Sequence, residues 1–170
     1  MTTQNKTKTL VMAAILTALV FILQYLSLVV KISNVPITLV LVPVVIGAAY
    51  CGIGTGAWLG LVFGFSVLIT GASEPFFSIN PLGTILTVLI KGTACGFFAG
   101  VAYKALEKFG RHIAVIVSAI ICPIVNTGVF FLGCLAFFMP TVTEWAIAAG
   151  LGENVALYMF VVLAGVNFLV

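Results

Sequence analysis

The sequence predicts an all-α, polytopic membrane protein: a bundle of six transmembrane helices with both termini cytoplasmic. Three observations carry that expectation. Hydrophobic residues make up 63% of the chain and charged residues 6%, whereas a soluble domain is about one quarter charged because its surface faces water. The apolar runs come in lengths suited to a bilayer, which takes ~20 residues per helical crossing. The few cations sit at the ends of those runs rather than on one exposed face, so the net charge of +3 does not point to a nucleic acid. Residues 1–170 read as one integral membrane domain, without room for a soluble domain or a nucleotide-binding cassette.

The first span is expected over about residues 10–30, followed by a short polar connector in which Pro36 ends or restarts a helix. Lys6 and Lys8 ahead of this run resemble a secretory signal, but the run is too long for a signal core and lacks a small-residue cleavage site, so a retained helix is expected. A second span over about 37–50 leads to a glycine turn at Gly52, Gly54 and Gly56, and a third runs from about 56 to 69. Residues 70–81 read as an ordered loop capped by Phe76 and Phe77. The fourth span takes about 82–103, and Lys104, Glu107, Lys108, Arg111 and His112 form the charged connector after it. A fifth span over about 113–139 is expected to be interrupted at Pro123, residues 140–152 to form a loop, and about 153–170 to be the sixth span. No basic anchor follows that span, which suggests a short further tail.

Lys6, Lys8, Lys104, Lys108 and Arg111 fall on one side of this topology and only Lys31 on the other, which by the positive-inside bias makes the first side cytoplasmic. Asn34, the 74–80 loop and the 140–152 loop then lie together outside, with Glu74, Glu144 and Glu153. Trp58 and Trp145 read as interface anchors, and Asn167 as a residue satisfying backbone or headgroups. Cys51, Cys95, Cys122 and Cys134 are scattered singly, as small core residues rather than a metal or redox motif.

Glycines recur every four residues at Gly52, Gly56, Gly60 and Gly64, and again at Gly92, Gly96 and Gly100, each set a stripe that lets helices approach closely in lipid. Ala14 and Ala18 make a similar pair on the first helix, suited to packing inside the bundle or to docking another membrane protein. Polar residues inside apolar spans are costly and so carry functional information. Lys91 falls ~15 Å into the fourth span by helix rise. It either snorkels to the interface or meets an anionic ligand group, since no acid lies at comparable depth in another span. Asn126 lies three residues after Pro123, and Phe130 and Gly133 continue its face, which suggests a pocket with an aromatic wall and a polar floor, with helix-to-helix hydrogen bonding as the alternative. Asn80, before Pro81, is placed to cap a helix while opening toward the outer loops. Asn154 and Tyr158 can share one face of the sixth span, where a tyrosine also reads as a simple interface belt residue.

One histidine, no aspartate and no paired acids leave no catalytic set, so no enzyme, metal site or cofactor is expected, and no acidic relay marks a proton-coupled pump. At the level of runs such as Val35-Pro36-Ile37-Thr38, Val42-Pro43-Val44, Asn80-Pro81-Leu82, Leu89-Ile90-Lys91-Gly92 and Pro123-Ile124-Val125-Asn126-Thr127-Gly128, the chain resembles the substrate-binding S components of energy-coupling factor (ECF) vitamin transporters. The resemblance spans all six expected helices. It implies a prokaryotic, multi-pass cell-membrane protein that captures a vitamin or precursor outside, while a scaffold transmembrane subunit and two ATPase subunits power its release. Ala14 and Ala18 match the family's Ala-x-x-x-Ala contact for the scaffold. The family's outer-half substrate site maps onto Asn34, Asn80, Asn126, Phe130, Asn154 and Tyr158, with Lys91 deeper. Resemblance together with the cation at Lys91 makes pantothenate the first choice of vitamin, ahead of hydroxymethylpyrimidine, a B6 vitamer, riboflavin or folate. A structural membrane subunit without a ligand is the reading from a different class, and a selective channel a third.

Overall fold

The computed structural model describes residues 3–29, 31–32, 35–36, 39–150 and 154–159. Helix dominates. α1 is Thr3–Val29, and a two-residue antiparallel ladder follows, β1 (Lys31–Ile32) against β2 (Val35–Pro36) with Ile32 opposite Val35. Then come α2 (Leu41–Cys51), α3 (Ile53–Ile69), α4 (Glu74–Phe77), α5 (Pro81–Leu106), a 3-10 turn (Glu107–Phe109), α6 (Arg111–Phe137), α7 (Met139–Ala148) and α8 (Val155–Tyr158).

Three described stretches are long and apolar enough to cross a bilayer: Lys6–Ser27, Pro81–Phe109 and Arg111–Phe137. At about 1.5 Å per residue the first, fifth and sixth helices exceed the ~30 Å hydrocarbon thickness. Apolar α2 and α3, with 11 and 17 residues, are shorter. Most of the expected sixth span lies outside the described residues, as do Asn34, Glu153 and Asn167.

The sequence expectations need correcting at four places. The connector after α1 carries a small ladder, with Pro36 in a strand position rather than at a helix boundary. Pro123 does not interrupt its span: α6 runs through it, as membrane helices allow when neighbouring groups re-satisfy the freed carbonyl. Residues 140–148, expected as loop, belong to α7, which Pro140 starts well because a first-turn proline gives up no helical hydrogen bond. Residues 74–77, inside the expected 70–81 loop, form the single helical turn α4.

The bundle is built around the contact of α3 with α5. The two glycine ladders face each other: a Cβ on Gly56 would sit 2.6 Å from the Gly96 carbonyl oxygen, and Cβ atoms on Gly60 and Gly92 would run into each other's backbone. Only glycine permits this approach, which brings Cα–H groups to facing carbonyls and maximises dispersion where lipid gives no hydrophobic drive. Gly52, at φ 95°, makes the reversal between α2 and α3 that a side chain would strain.

Around this seam Leu16, Val20, Val44, Val45, Leu59, Phe63, Val88, Cys95 and Cys122 form one buried cluster. A second gathers Cys134, Phe138, Val142, Val155 and Met159, flanked by Phe76, Phe130, Phe131 and Tyr158. Large aliphatics such as Ile15, Ile22, Ile69, Leu82, Ile90, Ile116, Ile120 and Leu132 point outward. Glycine, serine, threonine and cysteine are among the buried residues, a distribution suited to a hydrocarbon solvent. At the opposite end from residues 70–80, Arg111 stacks on Tyr50, its guanidinium carbon 4.7 Å from the ring centroid, tying the start of α6 to the end of α2.

Replacing Gly60 or Gly96 by Val is expected to cost at least the ~1–3 kcal/mol typical of overpacking, because the new atoms meet backbone that cannot turn aside. Gly128→Ala, whose added methyl would meet nothing within 4 Å, should leave stability unchanged or raise it. Thermal unfolding in detergent checks this; equal midpoints for Gly60→Val and Gly128→Ala would contradict the contact.

Candidate functional site

Near the end of the bundle that carries α4, the described residues line a partly open cavity of about 120 Å³. Val67 comes from α3, Ala72, Ser73 and Phe76 from the following turn and α4, and Thr84, Thr87, Val88 and Lys91 from α5. Phe130 from α6 and Phe138 from the α6–α7 junction close the other side. The α5 contribution follows from helix periodicity: positions 84, 87, 88 and 91 lie on one face.

Lys91 is half-buried, with its ammonium 4.9 Å from the Phe130 ring centroid. A cation over an aromatic face is stabilised by roughly 0.5–2 kcal/mol, less than full compensation for leaving water. No acid among the described residues pairs with it. Glu74, Glu107 and Glu144 are all exposed, and none is among the cavity-lining residues.

Phe76 is the hub of the aromatic wall. Its ring meets Phe130, Phe138 and Trp145 edge-to-face at centroid separations of 5.4, 5.2 and 5.4 Å, the geometry that ring quadrupoles favour. Trp145, expected as an interface anchor, is thus half-buried in this cluster. Trp58 stays exposed and donates its indole N–H to Thr17 Oγ1 at 3.3 Å. Phe77, the other residue expected to cap the loop, remains exposed.

The structure brings two of the sequence-derived candidates, Lys91 and Phe130, together at the cavity. Asn80 acts as the N-cap of α5: its Oδ1 accepts from Gly83 N at 3.0 Å and its carbonyl from the Thr84 hydroxyl at 2.9 Å. It is not among the lining residues. Asn126 is 4% exposed with an unpaired Oδ1, and it too stands outside the cavity lining. Asn154 is exposed at the start of α8, Tyr158 is half-buried against the second core cluster, and Asn34 lies outside the described residues. Ala14 and Ala18 are exposed on α1.

Sequence reasoning missed Ser73, Phe76, Thr84, Thr87 and Phe138 as lining residues. For the threonines a signal existed: they precede Lys91 by seven and four residues and so share its helical face. Ser73, Phe76 and Phe138 come from irregular segments whose approach no periodicity foretells.

A helical membrane protein with a small, partly open cavity, walled by aromatic rings and lined by Lys91 without an acid partner among the described residues, has the features of proteins that hold a small molecule within the bundle. The model of one family, ECF transporter, substrate-specific component, matches residues 8–169, and the chain belongs to that family. No match was found among curated proteins or among solved structures. Family membership makes this chain a membrane-embedded, substrate-capturing subunit that associates with an energising module, a transport role and not an enzymatic one.

Asn80→Ala should remove the cap of α5 and lower stability by ~0.5–2 kcal/mol. Ligand affinity, measured below the unfolding temperature, should change little, since Asn80 lies outside the lining. A large affinity loss at unchanged stability would make it a contact instead.

Proposed function

We propose that this chain captures a water-soluble vitamin from the outer side of a prokaryotic cell membrane, with pantothenate as its substrate, and passes it inward through a complex with a scaffold subunit and two ATPases. The observation that carries the choice of an acid is Lys91. It is a cation at a cavity inside an apolar bundle, set against Phe130 and without an acid among the described residues to neutralise it. Pantothenate brings a carboxylate for the ammonium and apolar methyl groups for the aromatic wall. In this reading the bundle has six spans with cytoplasmic termini, which leaves the cavity facing outward. The gathering of Lys6, Lys8, Lys104, Lys108 and Arg111 at helix ends supports that orientation.

Lys91 and Phe130 are the direct contacts in this reading, and Asn126 contributes a second polar group further along α6. Asn34, Asn154 and Tyr158 complete the outer rim, and Asn80 acts by fixing the start of α5. Ala14 and Ala18 form the stripe on which the scaffold subunit docks, supported by their exposure four residues apart on α1. A silent structural subunit is the second reading. It draws on the cavity's 120 Å³, below the ~300–1,000 Å³ of most ligand pockets.

Mass spectrometry of the small molecule retained by gently purified protein separates the two. Pantothenate supports the proposal, another vitamin redirects it, and a protein empty under all conditions favours the structural reading. Lys91→Met is expected to weaken pantothenate binding ~5- to 150-fold, the cost of about 1–3 kcal/mol for a lost buried interaction, and Asn126→Ala to weaken it less. Ala14→Trp or Ala18→Trp should block copurification with the scaffold subunit while sparing ligand binding; undiminished complex yield would remove the docking assignment.

A further inference from the structure

Hydroxyls on helices in apolar surroundings satisfy themselves by donating to a carbonyl one turn back, and this chain does so repeatedly. Thr17 donates to Ala13, Ser27 to Leu23, Thr84 to Asn80, Thr93 to Leu89 and Ser118 to Ala114, all at 2.7–2.9 Å. Thr87 departs from the pattern. Its Oγ1 has no hydrogen-bond partner although the residue is only 5% exposed, and it lines the same cavity as Lys91, one helical turn away on the same face of α5.

The packing holds Thr87 in that position. On α6 the residue facing it is Gly133, where a Cβ would collide with the Thr87 side chain. The glycine thus leaves room for a hydroxyl that neither helix satisfies. A buried, unpaired hydroxyl is unfavourable, and an added partner would recover what its burial costs.

We propose that Thr87 and Lys91 together form a two-point seat for a carboxylate, with the Thr87 hydroxyl donating to one oxygen and the ammonium pairing with the other. Thr87 is then a residue that selects acids over their neutral analogues. The inference rests on the reading of the cavity as the substrate site. The cavity's volume suits it: 120 Å³ admits an end group and a short stem, about four times the ~30 Å³ a water molecule occupies in the liquid. In this seat the carboxylate and its short stem occupy the cavity, and the remainder of the ligand extends out of it.

The test compares binding of pantothenate and of pantothenol, in which CH2OH replaces the carboxylate, to the purified full chain. The parent protein is expected to prefer pantothenate at least about tenfold, the ratio that one charge-assisted contact supplies. Thr87→Val should weaken pantothenate about 5- to 30-fold and change pantothenol less than about twofold, so the discrimination ratio falls. Thr87→Ser, which keeps the hydroxyl, should restore it. If Thr87→Val does not yield monodisperse protein, Thr87→Ala is read the same way. Equal losses for both ligands, or no loss, would overturn the seat while leaving vitamin capture intact. Should the parent bind neither compound, the same variants are compared on folate against pyridoxine, riboflavin and hydroxymethylpyrimidine. Preference for a neutral vitamin overturns the seat alone, preference for folate lost in Thr87→Val supports it, and binding of none overturns both the seat and the capture reading.

Discussion

The backbone contact between α3 and α5 is the constraint on which the rest depends. In hydrocarbon, helices gain nothing from hiding apolar side chains, so association must come from close packing and from weak contacts between backbones. The facing glycines at 56, 60 and 64 on α3 and at 92 and 96 on α5 supply that packing over several turns. They also fix the rotation of α5. With the glycine stripe against α3, the face bearing Thr84, Thr87 and Lys91 turns to the space bounded by α6 and the short α4 segment. The cavity is thus a consequence of how α5 is clamped.

Polar economy explains the contents of that cavity. Most helical hydroxyls in this chain are spent on carbonyls of their own helix, which makes them compatible with lipid and chemically quiet. Lys91 and Thr87 are not spent in this way, and each is held by a neighbour suited in shape: Phe130 beneath the ammonium and Gly133 beside the hydroxyl. The aromatic cluster around Phe76 adds a rigid wall, because four rings meeting edge-to-face resist rotation that a single ring would allow.

Much of the helical framework was legible in the sequence. Apolar length marked α1, α5 and α6, the glycine spacing marked the seam, and Asn80-Pro81 marked the start of α5, since each signal is local and repeats with the helical period. Pro123 misled because a proline breaks helices in water more readily than in a packed membrane bundle. The segment 140–148 misled because Pro140 and the polar residues after it resemble a loop, whereas a first-turn proline is also how a short helix begins. For the site, Lys91 and Phe130 stood out as a charge and a ring among aliphatics. Asn126 stood out equally, yet the packing of α6 leaves it outside the lining.

The sequence by itself determined the solvent of this protein, the membrane family to which it belongs and the presence of one cation deep in an apolar run, because hydropathy, motif and charge are properties of residues. Only the tertiary structure decided which polar groups share a cavity. That depends on the rotation of α5 and α6 about their axes and on where Ser73, Phe76 and Phe138 arrive from irregular segments. Those rotations are set by contacts between residues far apart in the chain, Gly60 with Gly92 and Thr87 with Gly133, whose pairing no local pattern encodes.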